Sequence, residues 1–209
     1  MAAFERGLAA GAHGLELDVH LSSDGVVVVC HDATLDRTTD ASGPIARRTA
    51  AELSRIDAGY RWTDANRNHP FRSCGVGVPR LRDVLHQFRD VPIIIEMKVD
   101  HPEMGHALAV EVLAASAVER VCAGADGRRA NRAAREALPS MASSACRWEV
   151  RLALYRSWAH WPVRETEYGG YQVPETAGTI RVVSPAFVRH AHEAGLGVEV
   201  WRGDDAPGI

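Results

Sequence analysis

The sequence lacks an apolar segment long enough to cross a membrane, because its longest uninterrupted aliphatic stretches are four or five residues. The first residues, Met1 to Ala12, contain Glu5 and Arg6 and have no apolar core of the kind that a signal peptide carries. We therefore expect a cytoplasmic protein with no integral membrane segment.

The sequence also lacks an excess of charge of one sign. It has 24 Lys and Arg against 27 Asp and Glu, for a formal net charge of -3. A chain with this balance has no overall field that attracts polyanions, so nucleic acid is not expected as a partner. Cysteine is scarce and dispersed, without a CxxC pair, which argues against a zinc site or a redox pair. The oligomeric state stays open.

Strand and helix patterns alternate along the chain, whose 209 residues suit a single domain. Two strands are predicted first, at Gly14–His20 and Val26–His31, and the Asp24-Gly25 turn between them is too short for a parallel crossover, so these two strands should pair antiparallel. Strands and helices then alternate, which predicts a parallel sheet. The later strands are expected at 91–98, 120–125, 140–145, 171–173, 182–183 and 197–201.

Two architectures fit this alternation, a barrel and an open doubly wound sheet. The sequence contains neither a GxGxxG nor a GxxxxGK[ST] motif, which weakens the open-sheet alternative. A loop-rich segment at about 32–78 interrupts the alternation and is expected to be a small insertion.

The strand Gly14–His20 carries an acidic face. Side chains alternate across a strand, so Glu16, Asp18 and His20 share one face, opposite leucine and valine. Two carboxylates on one inward face repel each other, and a hard divalent cation with oxygen ligands would relieve that repulsion. The alternative is an ordinary polar face on a half-exposed strand.

The strand at 91–98 is wholly apolar until it ends in Glu96 and Lys98. Strands buried on both sides have this composition, and active-site groups gather at the carboxyl ends of barrel strands. Glu96 is therefore a candidate third oxygen ligand and Lys98 a candidate phosphate contact. The alternative is a Glu-Lys pair in solvent at the end of the strand.

His31 ends the second strand of the predicted hairpin, and the turn folds it back towards the acidic face. An imidazole beside a metal–carboxylate cluster can act as a general acid or base near neutral pH. Taken alone, a histidine at a strand end is more often a structural hydrogen-bonding group.

Several segments in this order resemble the glycerophosphodiester phosphodiesterase family. The combination of an ExD, an HD and an ExK motif is specific, whereas each motif alone is weak. The matching segments cover nearly the whole chain: Glu16-Leu17-Asp18-Val19, Ser23-Asp24-Gly25, Val28–Asp32, Arg37-Thr38-Thr39, Val78-Pro79-Arg80-Leu81, Ile95-Glu96-Met97-Lys98, Tyr171–Pro174 and Val198–Trp201.

This resemblance implies a (β/α)8 TIM barrel of the phosphodiesterase type, which hydrolyses a glycerophosphodiester to an alcohol and glycerol 3-phosphate. Glu16, Asp18 and Glu96 match the family's ligands for Ca²⁺ or Mg²⁺, and His31 matches the second of its two catalytic histidines. Lys98 matches a residue near the phosphate. Trp201 resembles the aromatic residue on the glycerol side of the pocket.

The family pattern begins with a strand that ends in His-Arg-Gly, whereas residues 1–7 resemble the middle of the helix that follows. We therefore expect one incomplete domain over residues 1–209, without the first and last barrel strands and without the first catalytic histidine. Two alternatives to the hydrolase remain open. One is a non-catalytic remnant of the fold, and the other is a related phospholipase D-like barrel lyase.

Overall fold

The computed structural model describes residues 1–162 and 165–201. The predicted domain of residues 1–209 also includes 163–164 and 202–209, which lie outside the described residues. The helices are α1 (Ala2–Ala9), α2 (Ala50–Leu53), α3 (Leu81–Gln87), α4 (Pro102–Ala114), α5 (Arg128–Ala137), α6 (Arg147–Trp158) and α7 (Pro185–Glu193). The strands are β1 (Leu15–Leu21), β2 (Val27–Val29), β3 (Ile93–Met97), β4 (Val121–Gly124), β5 (Ala142–Ser143), β6 (Gly170–Pro174), β7 (Thr176–Ala177), β8 (Ile180–Arg181) and β9 (Gly197–Trp201).

The parallel strands lie side by side in the order in which they occur along the chain. β1, β3, β4 and β5 form one run of paired parallel strands, and β6 and β9 form a second parallel sheet. A parallel bridge between Ser144 and Gly170 connects β5 to β6 and so joins the two sheets. The described residues thus contain six parallel strands with no reversal of order, which is the winding of a barrel and not that of an open doubly wound sheet.

β1 and β2 form the predicted antiparallel hairpin, with Val19 opposite Val29. The turn closes through a hydrogen bond from the Gly25 amide to the Ser22 carbonyl. Gly25 adopts a φ of 75°, a conformation that glycine reaches without a steric cost.

Helix starts follow local signals in the sequence. Thr49 and Glu52 form a capping box at the start of α2. Ser184 caps α7 by accepting a hydrogen bond from the Phe187 amide, and Pro185 occupies the first helical position. These local signals set where α2 and α7 begin.

The main core lies between the outer face of the sheet and the helices. Leu15, Leu17 and Val19 of β1 are buried there with the alternate residues of β3 and with α3, α4 and α5. A second cluster packs β6 against α6 and α7 around Tyr171 and Phe187. On β1 the apolar residues therefore face the helices, whereas Glu16 and Asp18 face the interior of the barrel.

The loop-rich segment that follows β2 contains a short 3-10 helix at Ile45–Arg47 and the single-turn helix α2. Its apolar side chains form a third cluster, which includes Leu35, Ile45 and Leu53 and also Val28 of β2. This segment is therefore anchored to the hairpin next to the acidic strand.

The predicted strand at Val182-Val183 is wrong. The amides of both residues donate to the Glu175 carbonyl and close a turn, whereas the short hairpin strands β7 and β8 precede them. Val182 is apolar because it is buried in the cluster between β6, α6 and α7.

Candidate active site

Three carboxylates meet on the inner face of the sheet. Asp18 on β1 stands directly opposite Glu96 on β3 in the parallel register, and Glu16 lies two residues earlier on the same face of β1. One carboxylate oxygen from each residue lies within 4.8 Å of the others. The structure therefore brings together the three residues that the sequence analysis selected as metal ligands.

Lys98 follows β3 directly and binds two of these carboxylates. Its Nζ lies 2.8 Å from Asp18 Oδ1 and 2.9 Å from Glu96 Oε2. Burial acts to lower the pKa of Lys98, but the bonds to Asp18 and Glu96 outweigh it and raise the pKa above its ordinary value. The predicted phosphate contact is thus an ammonium group within the acidic cluster itself.

The pKa of Glu16 is raised above its ordinary value in this cluster. Its pKa is raised by burial first and then by the negative charges of Asp18 and Glu96, while the charges of Lys98 and His31 act in the opposite direction. Three carboxylates face one lysine ammonium, so two negative charges remain when all three are ionised.

The donor set fits a hard divalent cation. All three ligands are carboxylates, which Ca²⁺ and Mg²⁺ prefer, and their oxygens are close enough to share one ion. A divalent cation would balance the two remaining negative charges and lower the pKa of Glu16 towards its ordinary value.

His31 follows β2 beside the acidic strand. The amide of Cys30 donates to the Asp18 carbonyl at 2.9 Å, which places the next residue, His31, next to the cluster. The imidazole is 66% exposed and can therefore meet a ligand. Its Nδ1 lies 2.7 Å from Asp32 Oδ1, a contact that orients the ring.

Arg37 holds Asp32 from the other side. Its guanidinium binds both carboxylate oxygens, at 2.6 and 3.0 Å. The hydrogen bonds from Arg37 and then His31 lower the pKa of Asp32 to about 2. Asp32 is therefore ionised at neutral pH and presents a fixed negative charge to the imidazole.

His20 makes a structural contact, although no role was predicted for this residue from the sequence. Its side chain is buried, and its Nε2 lies 3.3 Å from the backbone oxygen of His31. Burial lowers the pKa of His20, which favours the neutral ring. The alternation on β1 indicated which face His20 occupies, but a contact to the backbone just after β2 has no signal in the sequence.

Trp201 lies at the carboxyl end of β9, opposite Pro174. Its side chain is 52% exposed. Glu199, on the same face of β9, accepts a hydrogen bond on its Oε2 from the side-chain Nε2 of Gln172 on β6, at 3.0 Å. No role was predicted for this polar pair from the sequence, although its alternation with Tyr171 and Val198 indicates an inward position.

Gly124 of β4 lies against the polar side chains of Ser144 and Gln172. A Cβ at this position would collide with Ser144 Oγ and lie 3.0 Å from Gln172 Oε1. The absence of a side chain on β4 therefore leaves room for Ser144 and Gln172 on the inner face.

The chain is 34% identical over 99 residues to a glycerophosphodiester phosphodiesterase from Caldanaerobacter subterraneus, a match that covers 47% of this chain and 38% of that protein. A probable glycerophosphodiester phosphodiesterase 2 from Mycobacterium tuberculosis is 29% identical over 217 aligned residues, which cover 98% of this chain and 74% of the relative.

Among solved structures, a glycerophosphodiester phosphodiesterase from Agrobacterium tumefaciens superposes with a TM-score of 0.74 at 26% identity. The superposition covers 98% of this chain and 80% of that one. Together with the strand order, this likeness confirms the predicted α/β barrel fold. The model of the glycerophosphoryl diester phosphodiesterase family matches residues 1–206, and the chain belongs to that family.

Proposed function

We propose that the protein hydrolyses glycerophosphodiesters to an alcohol and glycerol 3-phosphate, with Glu16, Asp18 and Glu96 holding a Ca²⁺ or Mg²⁺ ion. The observation that carries this proposal is the convergence of the three carboxylates beside Lys98 and His31, on the inner face of the barrel. Membership of the family and the names of the relatives support the reaction class.

A bound divalent cation would supply charge stabilisation at a phosphoryl oxygen. Lys98 contributes a positive charge at the same place, because its ammonium lies between Asp18 and Glu96. Once a cation neutralises these carboxylates, the ammonium is available to an anionic phosphate group of the substrate.

His31 is proposed to move protons during the reaction. When its Nδ1 donates to Asp32, its Nε2 is left as the acceptor and can take a proton from the water molecule that attacks the phosphorus. The charge of Asp32 stabilises the protonated ring, which can then return the proton to the leaving alcohol. Trp201 is proposed to contact the apolar side of the glycerol moiety.

The test is the release of glycerol 3-phosphate from glycerophosphocholine by the full chain, with added Ca²⁺ or Mg²⁺ and with a chelator. Activity should require the metal. His31→Ala should reduce kcat by about 100-fold or more, the usual contribution of a general acid or base. Glu96→Gln should abolish turnover, and Glu136→Gln, in an exposed pair with Arg132 on α5, is the matched control and should leave it unchanged.

The two alternatives give different results in the same assay. A non-catalytic member of the fold would bind the metal without releasing glycerol 3-phosphate. A lyase would release a cyclic phosphate, because an internal hydroxyl and not water attacks the phosphorus. Either result would contradict the proposed hydrolysis.

A further inference from the structure

Helix α6 presents large apolar side chains to solvent along its whole length. Trp148, Leu152, Tyr155 and Trp158 are between 37% and 61% exposed. With 3.6 residues per turn, these four side chains and Arg151 fall within about 120° of the helix surface. We call these five residues the α6 outer face. An outer helix of a barrel normally covers this side with polar residues, so such a patch indicates an interaction site.

The opposite side of α6 packs against the rest of the protein. Ala153, Leu154 and Ser157 are buried in the direction of α7 and β6. Glu149, the one carboxylate of α6, also turns inward and binds Arg135 at 2.8 Å. The α6 outer face therefore carries no carboxylate from its own helix.

Arginines accompany the aromatic side chains. Arg151 lies within the α6 outer face, and Arg147 and Arg156 flank it on its two sides. Arg147 pairs with Asp126. Within residues 1–162 and 165–201, neither Arg151 nor Arg156 takes part in an ion pair. Arg156 lines a cavity with Glu165 and Glu167 at one edge of the face, so Arg151 is the positive charge that lies among the exposed indole and phenol rings.

This combination selects among the possible occupants. Tryptophan and tyrosine favour the boundary between lipid headgroups and acyl chains, and arginine beside them is attracted to anionic headgroups. A second copy of the chain is disfavoured, because a two-fold contact would set each arginine against the same positive face. No helix in the described part of the chain is long and apolar enough to span a bilayer.

We propose that the α6 outer face docks the protein on an anionic lipid surface. The rings of Trp148 and Tyr155 enter the headgroup region, and Arg151 contacts the lipid phosphates. This docking is independent of the hydrolytic reaction, because none of these residues belongs to the carboxylate cluster.

The test is co-sedimentation of the full chain with vesicles of phosphatidylcholine alone and with vesicles of an equal mixture with phosphatidylglycerol. The protein should bind the mixed vesicles and be released by salt. Arg151→Glu changes the charge of the face by two units, and each unit near the surface is worth roughly 1 kcal/mol. The substitution should therefore weaken binding by about 30-fold. The double variant Trp148→Ala with Tyr155→Ala should weaken it by about 10-fold or more.

Matched controls come from other surfaces. Val110→Ala with Leu113→Ala removes two exposed apolar side chains of α4, and Arg55→Glu reverses an exposed charge after α2. Both controls should bind like the unmodified protein. The melting temperatures of the test variants and of the controls should equal that of the unmodified protein. The proposal would be overturned by no binding to the mixed vesicles, by equal losses in the controls, or by a preference for single-stranded DNA over the vesicles. A dimer that only Trp148→Ala with Tyr155→Ala dissociates would also overturn it.

Discussion

Asp18 and Glu96 face each other on adjacent parallel strands, and the Lys98 ammonium lies within 2.9 Å of a carboxylate oxygen of each. This arrangement lets a positive side chain of the protein hold the cluster together before any other cation arrives. It also makes the stability of the fold dependent on how the charges of the cluster are balanced.

Lys98→Met should lower the free energy of unfolding by about 1–3 kcal/mol in the presence of a chelator, because it leaves Asp18 and Glu96 without their cation. Added Ca²⁺ should restore most of the loss, since the ion supplies the missing charge. Urea unfolding with and without Ca²⁺ measures both effects, and Lys98→Arg is the control that retains the charge. A deficit that Ca²⁺ does not reduce would contradict the expectation that the ion and the Lys98 ammonium compensate the same carboxylate charges.

The pair of Asp32 and Arg37 should make stability depend on acid pH. The pKa of Asp32 is lowered to about 2 in the folded chain from an ordinary value of 3.8. Its contribution to stability is therefore complete above the unfolded value and is lost as the pH falls through the folded value. The difference in urea midpoint between the unmodified chain and Asp32→Asn should shrink between about pH 4 and pH 2.

Arg37→Gln provides the companion measurement, because Arg37 is the largest cause of the lowered pKa of Asp32. In this variant the folded pKa of Asp32 should lie closer to its ordinary value, so the acid-dependent loss should be smaller and should be complete at a higher pH than in the unmodified chain. An unchanged profile in Arg37→Gln would mean that the ion pair does not set the pKa of Asp32.

Arg135 of α5 makes hydrogen bonds to both α6 and β5. It binds Glu149 of α6 in a bidentate pair and also contacts Ser143 Oγ and the Ser144 carbonyl. Because Arg135 is 12% exposed, Arg135→Ala should destabilise the fold by about 3 kcal/mol. Arg132→Ala removes the exposed pair with Glu136 on the same helix and should cost less than about 0.5 kcal/mol. Equal losses of unfolding free energy in the two variants would contradict this assignment.

Gly105 allows α4 and α5 to approach closely. A Cβ at this position would overlap the backbone of Ala130 and Ala134, which cannot move without displacing α5. Gly105→Ala should therefore lower the free energy of unfolding by about 1–3 kcal/mol. Gly7→Ala in α1 meets no atom within 4 Å and should raise it by about 0.5–1 kcal/mol. Thermal unfolding of the two variants should show shifts of opposite sign.

The sequence predicted the order of the elements and the acidic cluster because both depend on short-range patterns. Alternation alone places Glu16 and Asp18 on one face of β1, and the order of parallel strands places Glu96 beside them. The orientation of Lys98 towards two carboxylates was not predictable, because it depends on side-chain conformations that a period of two does not specify. The contact between His20 and the His31 backbone was missed for a related reason, since it depends on the register of the hairpin.

The central claim is that Glu16, Asp18 and Glu96 bind one divalent cation together. Calorimetric titration of the full chain with Ca²⁺ tests it without depending on turnover. The unmodified protein and the Glu136→Gln control should each bind one ion, and Glu16→Gln, Asp18→Asn and Glu96→Gln should each weaken binding by about 10-fold or more. Undiminished binding in a variant that carries all three substitutions would contradict the claim, as would the absence of saturable binding in the unmodified protein.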